Sequence, residues 1–369
     1  MQSLNEKTWA QLSAFGDDAP LCIKTTDSSI DGVRLIDDDE KSVPYVTRSD
    51  SNNGLARFVS PKNYEFGSDD GGCITVGLDT QTAFYQPHKF VTGQNIQVIT
   101  GESLNEDVAQ FMVPILRQQM TAKFNWGGNG ATLSRMKRLT VMLPVTDSGE
   151  PDYAYMAEYA QQKRNAMLAK YRAYVEARIV ELGEYVEIPA LDEKEWKPFS
   201  IVDLFSSIIP GKGKGLNHLK KVYADGVNYI GATNRNNGVL CYVEEDTYSR
   251  PMILEGNCIG FIKNGDGSAG FAIYKAEQFI STSDVLYGYA DWLNKFTGLF
   301  FVVAQDKIEH KYSHGYKRNK EHLAGDKVML PVTDSGEPDY KYMEQYSKNM
   351  MLSKYQQYLT FLQQRSNTR

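Results

Sequence analysis

From residue 151 to 183, and again from 338 to about 365, apolar positions recur at helical spacing. Leu168, Tyr171, Val175, Ile179 and Leu182 follow one another in steps of three and four, as do Leu352, Tyr355, Leu359 and Leu362. Each run opens on Pro-Asp after a Ser-Gly turn. Proline's fixed φ suits a first helical turn, where its missing N–H is not needed. Such stripes are seams of a coiled coil. A single amphipathic helix usually packs on its own domain, but two matching ones at equivalent places predict an antiparallel pair that buries both seams. Leu168, Tyr171 and Val175 would then face Leu352, Tyr355 and Leu359. A helix of about 30 residues would be roughly 45 Å long at 1.5 Å per residue, enough to hold two domains apart.

Ahead of each helix the period shortens. Cys73 to Gly77, Gln97 to Thr100, Gly260 to Lys263 and Phe300 to Ala304 are β-branched or aromatic runs that read as strands. Turn clusters separate them: Asn52-Asn53-Gly54, Asn236-Asn237-Gly238 and Asn264 to Ser268. Helical patterning is confined to Val108 to Lys123 and Asp291 to Gln305, so two readings compete over Phe300 to Ala304. The expected class is α+β, with long polar loops.

A repeat organises these elements. Val141 to Tyr153 reads VMLPVTDSGEPDY, and the same letters return from Val328 to Tyr340, 187 positions later. Leu4 to Trp9 (LNEKTW) matches Leu191 to Trp196 (LDEKEW) at the same offset, and Val43 to Leu55 aligns without gaps on Val227 to Val239. The chain is an internal duplication of whole domains, since this period is too long for a solenoid. The expected division is a first domain over 1–150, a long helix and linker over 151–190, a second domain over 191–337 and a second long helix over 338–369. The frame repeats while the interiors differ.

Composition changes this picture little. The 369 residues support about two domains, and 41% hydrophobic with 23% charged residues is ordinary for a soluble globular chain. No apolar run approaches the ~20 residues that span a bilayer, and the polar start lacks a signal core, so a cytoplasmic location is expected and no membrane partner. The four cysteines have no metal-site spacing, which predicts no bound metal; Cys73 and Cys258 occupy equivalent apolar runs and are expected to be buried thiols. A net charge of −6 argues against indiscriminate coating of nucleic acid. The balance differs between copies: residues 1–140 carry 13 Lys/Arg against 17 Asp/Glu, residues 196–330 carry 16 against 14, so an acidic total still allows a basic groove.

Taken together, Trp196-Lys-Pro-Phe-Ser-Ile-Val-Asp-Leu-Phe, the Tyr-Ile-Gly-Ala-Thr-Asn-Arg-Asn-Asn-Gly segment from Tyr229, the glycine-rich Gly260 to Phe271, the Leu-Pro-Val connector and the helix after it resemble the specificity subunits of type I restriction-modification systems and of the BcgI-like type IIB systems. The likeness spans nearly the whole chain. The first copy departs from it over Leu12 to Ile30, which lacks the Phe-x-Ile-x-Asp-Leu-Phe pattern and leaves the first strand there without support. The resemblance implies two tandem target recognition domains in a pseudo-twofold arrangement, separated by two long antiparallel coiled-coil helices. It implies double-stranded DNA as ligand and two methyltransferase subunits as partners, with restriction subunits able to join. S-adenosylmethionine would bind those partners, which flip and methylate the target base; this chain would bind no cofactor and be non-catalytic. Because identical readers see palindromes, the differing interiors predict an asymmetric bipartite target, one half-site per domain.

Base edges are read by Arg, Lys, Asn, Gln and Ser/Thr, and phosphates by cations and backbone amides. The loops after Tyr45 and Tyr229 offer Thr47, Arg48, Ser49 and Asn52 in the first copy and Thr233, Asn234, Arg235 and Asn236 in the second. Asn-Asn-Gly also suits a positive-φ turn with no ligand at all, so Arg48 and Arg235 are the stronger candidates. The loops before each Leu-Pro-Val interleave cations with aromatics and add Trp126 and Arg135, and His314, Lys317 and Arg318; a plain solvated loop has the same composition. Lys212 and Lys214, between glycines, suit a phosphate but lack the P-loop form, and Lys263 lies in the glycine-rich region. The motifs of serine hydrolases, zinc proteases and amino-methyltransferases are missing. The rival reading is a duplicated ligand- or carbohydrate-binding scaffold, which would account for the 23 tyrosines but not for two long helices.

Overall fold

In both copies the first strand pairs antiparallel with the last. Trp9–Ser13 runs beside Thr140–Pro144 with Trp9 opposite Pro144, and Trp196–Ser200 beside Lys327–Pro331 with Trp196 opposite Pro331. The computed structural model describes residues 2–15, 19, 21–124, 129–313 and 315–367. It divides into two units, Met1–Tyr171 and Arg172–Arg369.

The duplicated phrases are the two sides of one clamp. Trp9 donates its indole N–H to the Leu4 carbonyl (2.9 Å) and stacks on Phe111; Trp196 does the same with Leu191 (2.8 Å) and Phe300. Lys7 pairs with Asp152 at 2.7 Å, and Lys194 with Asp339 at 2.9 Å. Each aspartate also caps the long helix it precedes, accepting from the N–H of Tyr155 or Tyr342. The start of each copy is thus tied to its exit, which explains why these letters persist while the interiors drift. The first copy has its opening strand despite the missing motif, because strand pairing needs alternation and a partner rather than particular side chains.

Within the first unit, one sheet has the order Cys22–Thr25, Ile96–Thr100, Cys73–Gly77, Ala83–Gln86. A second joins Leu55–Val59, Val43–Val46 and Val91–Thr92, the last two parallel. The second unit repeats this plan. Ser207–Pro210, Val285–Tyr289, Cys258–Ile262 and Ala272–Lys275 form one sheet; Lys221–Val222, Val239–Val243, Val227–Ile230 and Phe279–Ser281 form the other. A helix covers the first sheet in each unit, Glu106–Lys123 and Lys295–Gln305. Phe300 to Ala304 therefore belongs to a helix and not to a strand. Asn294 and Thr297 close a capping box at its start, and Gly298 packs directly on the Tyr274 ring, so cap and packing override the β-preference of the run. Cys73 and Cys258 are buried, and burial pushes both thiols up to about 12.

The long helices are Tyr153–Leu182 and Tyr340–Asn367. Of the expected seam residues, Val175 and Leu352 are buried and Tyr355 and Leu359 half-buried, whereas Leu168 and Tyr171 are exposed. In the second unit Tyr174 meets Tyr355 edge to face, and Asn349 exchanges two hydrogen bonds with the Val186 backbone. Among the described residues no helix is long and apolar enough to cross a membrane.

Candidate nucleic-acid interface

The predicted reading loops sit on one frame built twice. In the first unit Val43–Val46 and Leu55–Val59 are joined by residues 47–54, with a register slip after Tyr45 and a Thr47 N–H bond to the Gly54 carbonyl (2.8 Å). Asn52, Asn53 and Gly54 all have positive φ. In the second unit the slip follows Tyr229, Gly231 N–H bonds Gly238 (2.9 Å), and Asn236, Asn237 and Gly238 repeat the left-handed run. The asparagine amides serve this turn. Asn52 and Asn236 donate to Leu55 and Val239, and Asn53 and Asn237 reach across to the Tyr85 and Tyr274 carbonyls. Asn52 and Asn236 accordingly form the turn, each with one amide N–H engaged in it.

What the frame carries differs. Arg48-Ser49-Asp50-Ser51 occupies the places of Ala232-Thr233-Asn234-Arg235. In the first unit the exposed Arg48 forms an ion pair with Asp79, which also accepts from Asn95 (3.1 Å), while Thr80 Oγ1 donates to the Arg48 carbonyl (2.8 Å). Asp50 pairs with Arg117 at 2.6 Å, and Arg117 lies over Phe84. Arg135 is half-buried and donates to Gly130; it adjoins this edge through Ala131 N–H, which bonds the Leu78 carbonyl.

In the second unit Gly265 comes so close to Ala232 that a Cβ would lie 2.0 Å from its carbonyl oxygen, and Ser268 bonds Asn234 (3.0 Å). Lys263 is tied through its backbone to Asp284 and Arg318. Tyr229 donates to the Lys214 carbonyl (2.8 Å), fixing the Gly-Lys-Gly-Lys-Gly strip, and Gly213 N–H bonds Ser281. Thr233, Asn234, Arg235, Lys212, Lys263 and Lys317 are thereby linked along one set of strand ends, and all but the half-buried Thr233 and Lys263 are exposed; the exposed Lys214 instead carries its ammonium over the Tyr248 ring (6.0 Å), beyond the other end of Val239–Val243. Arg235 forms no ion pair among the described residues. Tyr316 stacks between Tyr312 and His322 beside Lys317. Trp126 and His314 lie outside the described residues.

One equivalent pair is inverted. Leu78 and Lys263 make matching backbone bonds to Asn95 and Asp284. At the next position, Asp79 accepts from Asn95 in the first unit, while Asn264 donates to Asp284 in the second. The carboxylate has changed sides of the same contact. Asp79, Asn95, Arg117, Ser268 and Asp284 are not among the candidates that the sequence alone supplies. The turn clusters after Cys73–Gly77 and Cys258–Ile262 were the signal that could have found them.

Arg318 is a correction. It is fully buried: Nε donates to Asp326 (2.8 Å), Nη1 to Gln305 (2.6 Å) and the Gly270 carbonyl (2.9 Å), between the Phe261 and Tyr312 rings. Burial lowers its pKa and raises that of Tyr312, which donates to the same carboxylate. No surface ligand reaches this guanidinium, whose surroundings make it a strut of the second core. Among the described residues no cluster of metal-ligating side chains occurs.

Against known families, residues 31–170 and 193–359 each match the model of the type I restriction modification DNA specificity domain. The chain belongs to this family. It is 28% identical over 319 residues to the Type II restriction enzyme BgcI specificity subunit S.BcgI of Heyndrickxia coagulans, covering 84% of this chain and 86% of that one. It shares its fold with the type I restriction-modification S subunit from M. genitalium, at a TM-score of 0.50 and 14% identity over 100% of this chain and 96% of the other. Two DNA specificity domains in one chain make sequence-specific DNA recognition within a restriction-modification system its function, and the carbohydrate-binding scaffold is not favoured.

Proposed function

We propose that this specificity chain reads an asymmetric bipartite target, one half-site per domain, across a gap that neither domain reads. The observation that carries this reading is the repeated Asn-Asn-Gly frame with unlike tips. Arg48 and Asp50 are paired in place in one copy; in the other, exposed Asn234 and Arg235 lie on the strand ends that also carry Lys212, Lys263 and Lys317. Thr47, Arg48, Ser49 and Arg135 serve the first half-site, Thr233, Asn234, Arg235 and the lysines the second, and base contacts specify while lysines position.

The domains are residues 1–150 and 191–337, and the helices of 151–190 and 338–369 form an antiparallel coiled-coil spacer with pseudo-twofold symmetry. Support for the pairing is the descending order of contacts in the second unit, Tyr174 with Tyr355 and then Val186 with Asn349. The spacer recruits two methyltransferase subunits in the cytoplasm, for which the exposed Met167, Leu168 and Val180 are apolar anchors. S-adenosylmethionine binds in those subunits, restriction subunits join the assembly, and this chain performs no catalysis.

The experiment is modified-base sequencing of host DNA with the chain present and deleted. Loss of methylation at one asymmetric gapped motif is expected; an unchanged pattern would sink the reading. Tyr355→Glu should loosen the spacer and reduce modification at that motif, and full modification would count against the helix pairing.

A further inference from the structure

We propose that Arg48 reads a guanine in the half-site of the first domain, with Asp79 as the positioning residue that aims it; this rests on the bipartite reading above. Three devices hold Arg48. Its carbonyl is fixed by Thr80 Oγ1 (2.8 Å), its Nη1 by the Asp79 carboxylate, and Asp79 in turn by the Asn95 amide (3.1 Å). The other guanidinium N–H groups have no partner among the described residues, although the side chain is 47% exposed. A guanidinium held at one nitrogen keeps a fork of donors free. Only guanine offers two acceptors, O6 and N7, side by side in the major groove to meet that fork.

A phosphate contact is the other use of an exposed arginine, and Asp79 argues against it. A carboxylate next to the guanidinium cancels its charge toward a phosphate and repels the phosphate itself, while leaving directional donors intact. Holding the side chain in advance also removes part of the rotamer entropy that binding would otherwise cost. The comparison between copies points the same way. Where position 48 is arginine, the carboxylate of the inverted pair stands on its side of the contact, at Asp79; where the equivalent residue is Ala232, the carboxylate stands across at Asp284. Arg48 and Asp79 change together, as one reading unit.

The test uses the full-length chain with its methyltransferase. Modified-base sequencing gives the wild-type motif, and binding to duplexes with single base-pair changes gives the discrimination at each position. A G·C pair in one half should be favoured by about tenfold to a hundredfold. R48A should bring that ratio near unity while leaving the other half's ratios intact. R48K, which keeps charge but lacks the fork, should lose most of it, and D79N should lose several-fold with little change in affinity for unrelated DNA. Unchanged ratios in R48A, or a change at a position that is not G·C, would overturn the assignment. Should R48A lose discrimination in both halves, the domain has collapsed and R48K decides. Deletion of the chain without any effect on modification would instead remove the bipartite reading, and this inference with it.

Discussion

The same corner of the two domains is filled in opposite ways. Ala14 N–H bonds the Leu139 carbonyl and Ala131 N–H the Leu78 carbonyl; in the second domain Ile201 bonds Asp326 and Arg318 bonds Lys263, a matching backbone arrangement. The side chains are apolar in the first domain, with Ala131 and Leu139 both buried, and ionic in the second, with Arg318 and Asp326 equally buried. The backbone ladder is the inherited part, and its filling is free to change so long as both partners change together. A lone buried charge is the forbidden intermediate.

That comparison predicts the largest effect. Asp326→Leu leaves the buried Arg318 without a carboxylate and should destabilise the second domain by about 3–5 kcal/mol; Arg318→Met leaves Asp326 with Lys311 at 3.4 Å and the Tyr312 hydroxyl, and should cost somewhat less. The double variant, which copies the apolar logic of the first domain, should cost less than either single change, about 1–3 kcal/mol for the Gln305 Oε1 acceptor and the Tyr312 hydroxyl left without partners. Urea unfolding followed by tryptophan fluorescence reads this out. Additive single effects would mean that the pair is not coupled and that the corner is held by its backbone alone.

The duplication, the long helices and the strand runs were legible because periodicity and repetition are properties of the sequence itself. Phe300 to Ala304 was legible in two ways, and the helical one over Asp291 to Gln305 holds because a cap at Asn294 and packing on Tyr274 overrule its β-branched letters. Arg318 and Arg235 lie in equally polar loops, and only the fold shows one inside and the other at the surface. Asp79 was invisible for a related reason. Its importance comes from a neighbour 31 positions away, brought close by strand order.

A medium effect is expected at the contact between the reading loop and the turn behind it. In the first domain Thr80 makes that contact by donating to the Arg48 carbonyl; in the second Gly265 makes it by having no side chain against Ala232. Gly265→Ala places a methyl group against backbone atoms that can yield only if the loop moves. We expect about 1–3 kcal/mol of destabilisation and weakened discrimination in the second half-site alone, read by binding to duplexes altered in each half. Thr80→Ala removes its bond to the Arg48 carbonyl and the one it shares with the Thr82 hydroxyl (3.0 Å), about 1–2 kcal/mol together, with its effect confined to the first half-site. Loss in both halves from either variant would contradict independent reading by the two domains.

The smallest effect tests the feature the domains share. Lys7 bonds Asp152 and, with the Tyr155 N–H, holds its carboxyl below the ordinary value of 3.8. Burial pushes Asp339 upward, but the Tyr342 N–H and Lys194 outweigh it and the net shift is again downward. A carboxylate whose folded pKa is depressed contributes stability that is fully present above its unfolded value and is lost as pH falls through the folded one. Lys7→Met should therefore cost about 0.5–1 kcal/mol near neutrality, and the difference from wild type should shrink below about pH 4 as Asp152 is protonated. Lys194→Met should behave alike. Asp152→Asn keeps a capping oxygen and loses only the charge, whereas Asp152→Ala loses the helix cap as well, about a further 1 kcal/mol. A deficit in Lys7→Met that stayed constant down to acid pH would show that its packing over Tyr155, and not its charge, closes the clamp. Unequal costs for Lys7 and Lys194 would show that even this repeated phrase has begun to diverge in what it does.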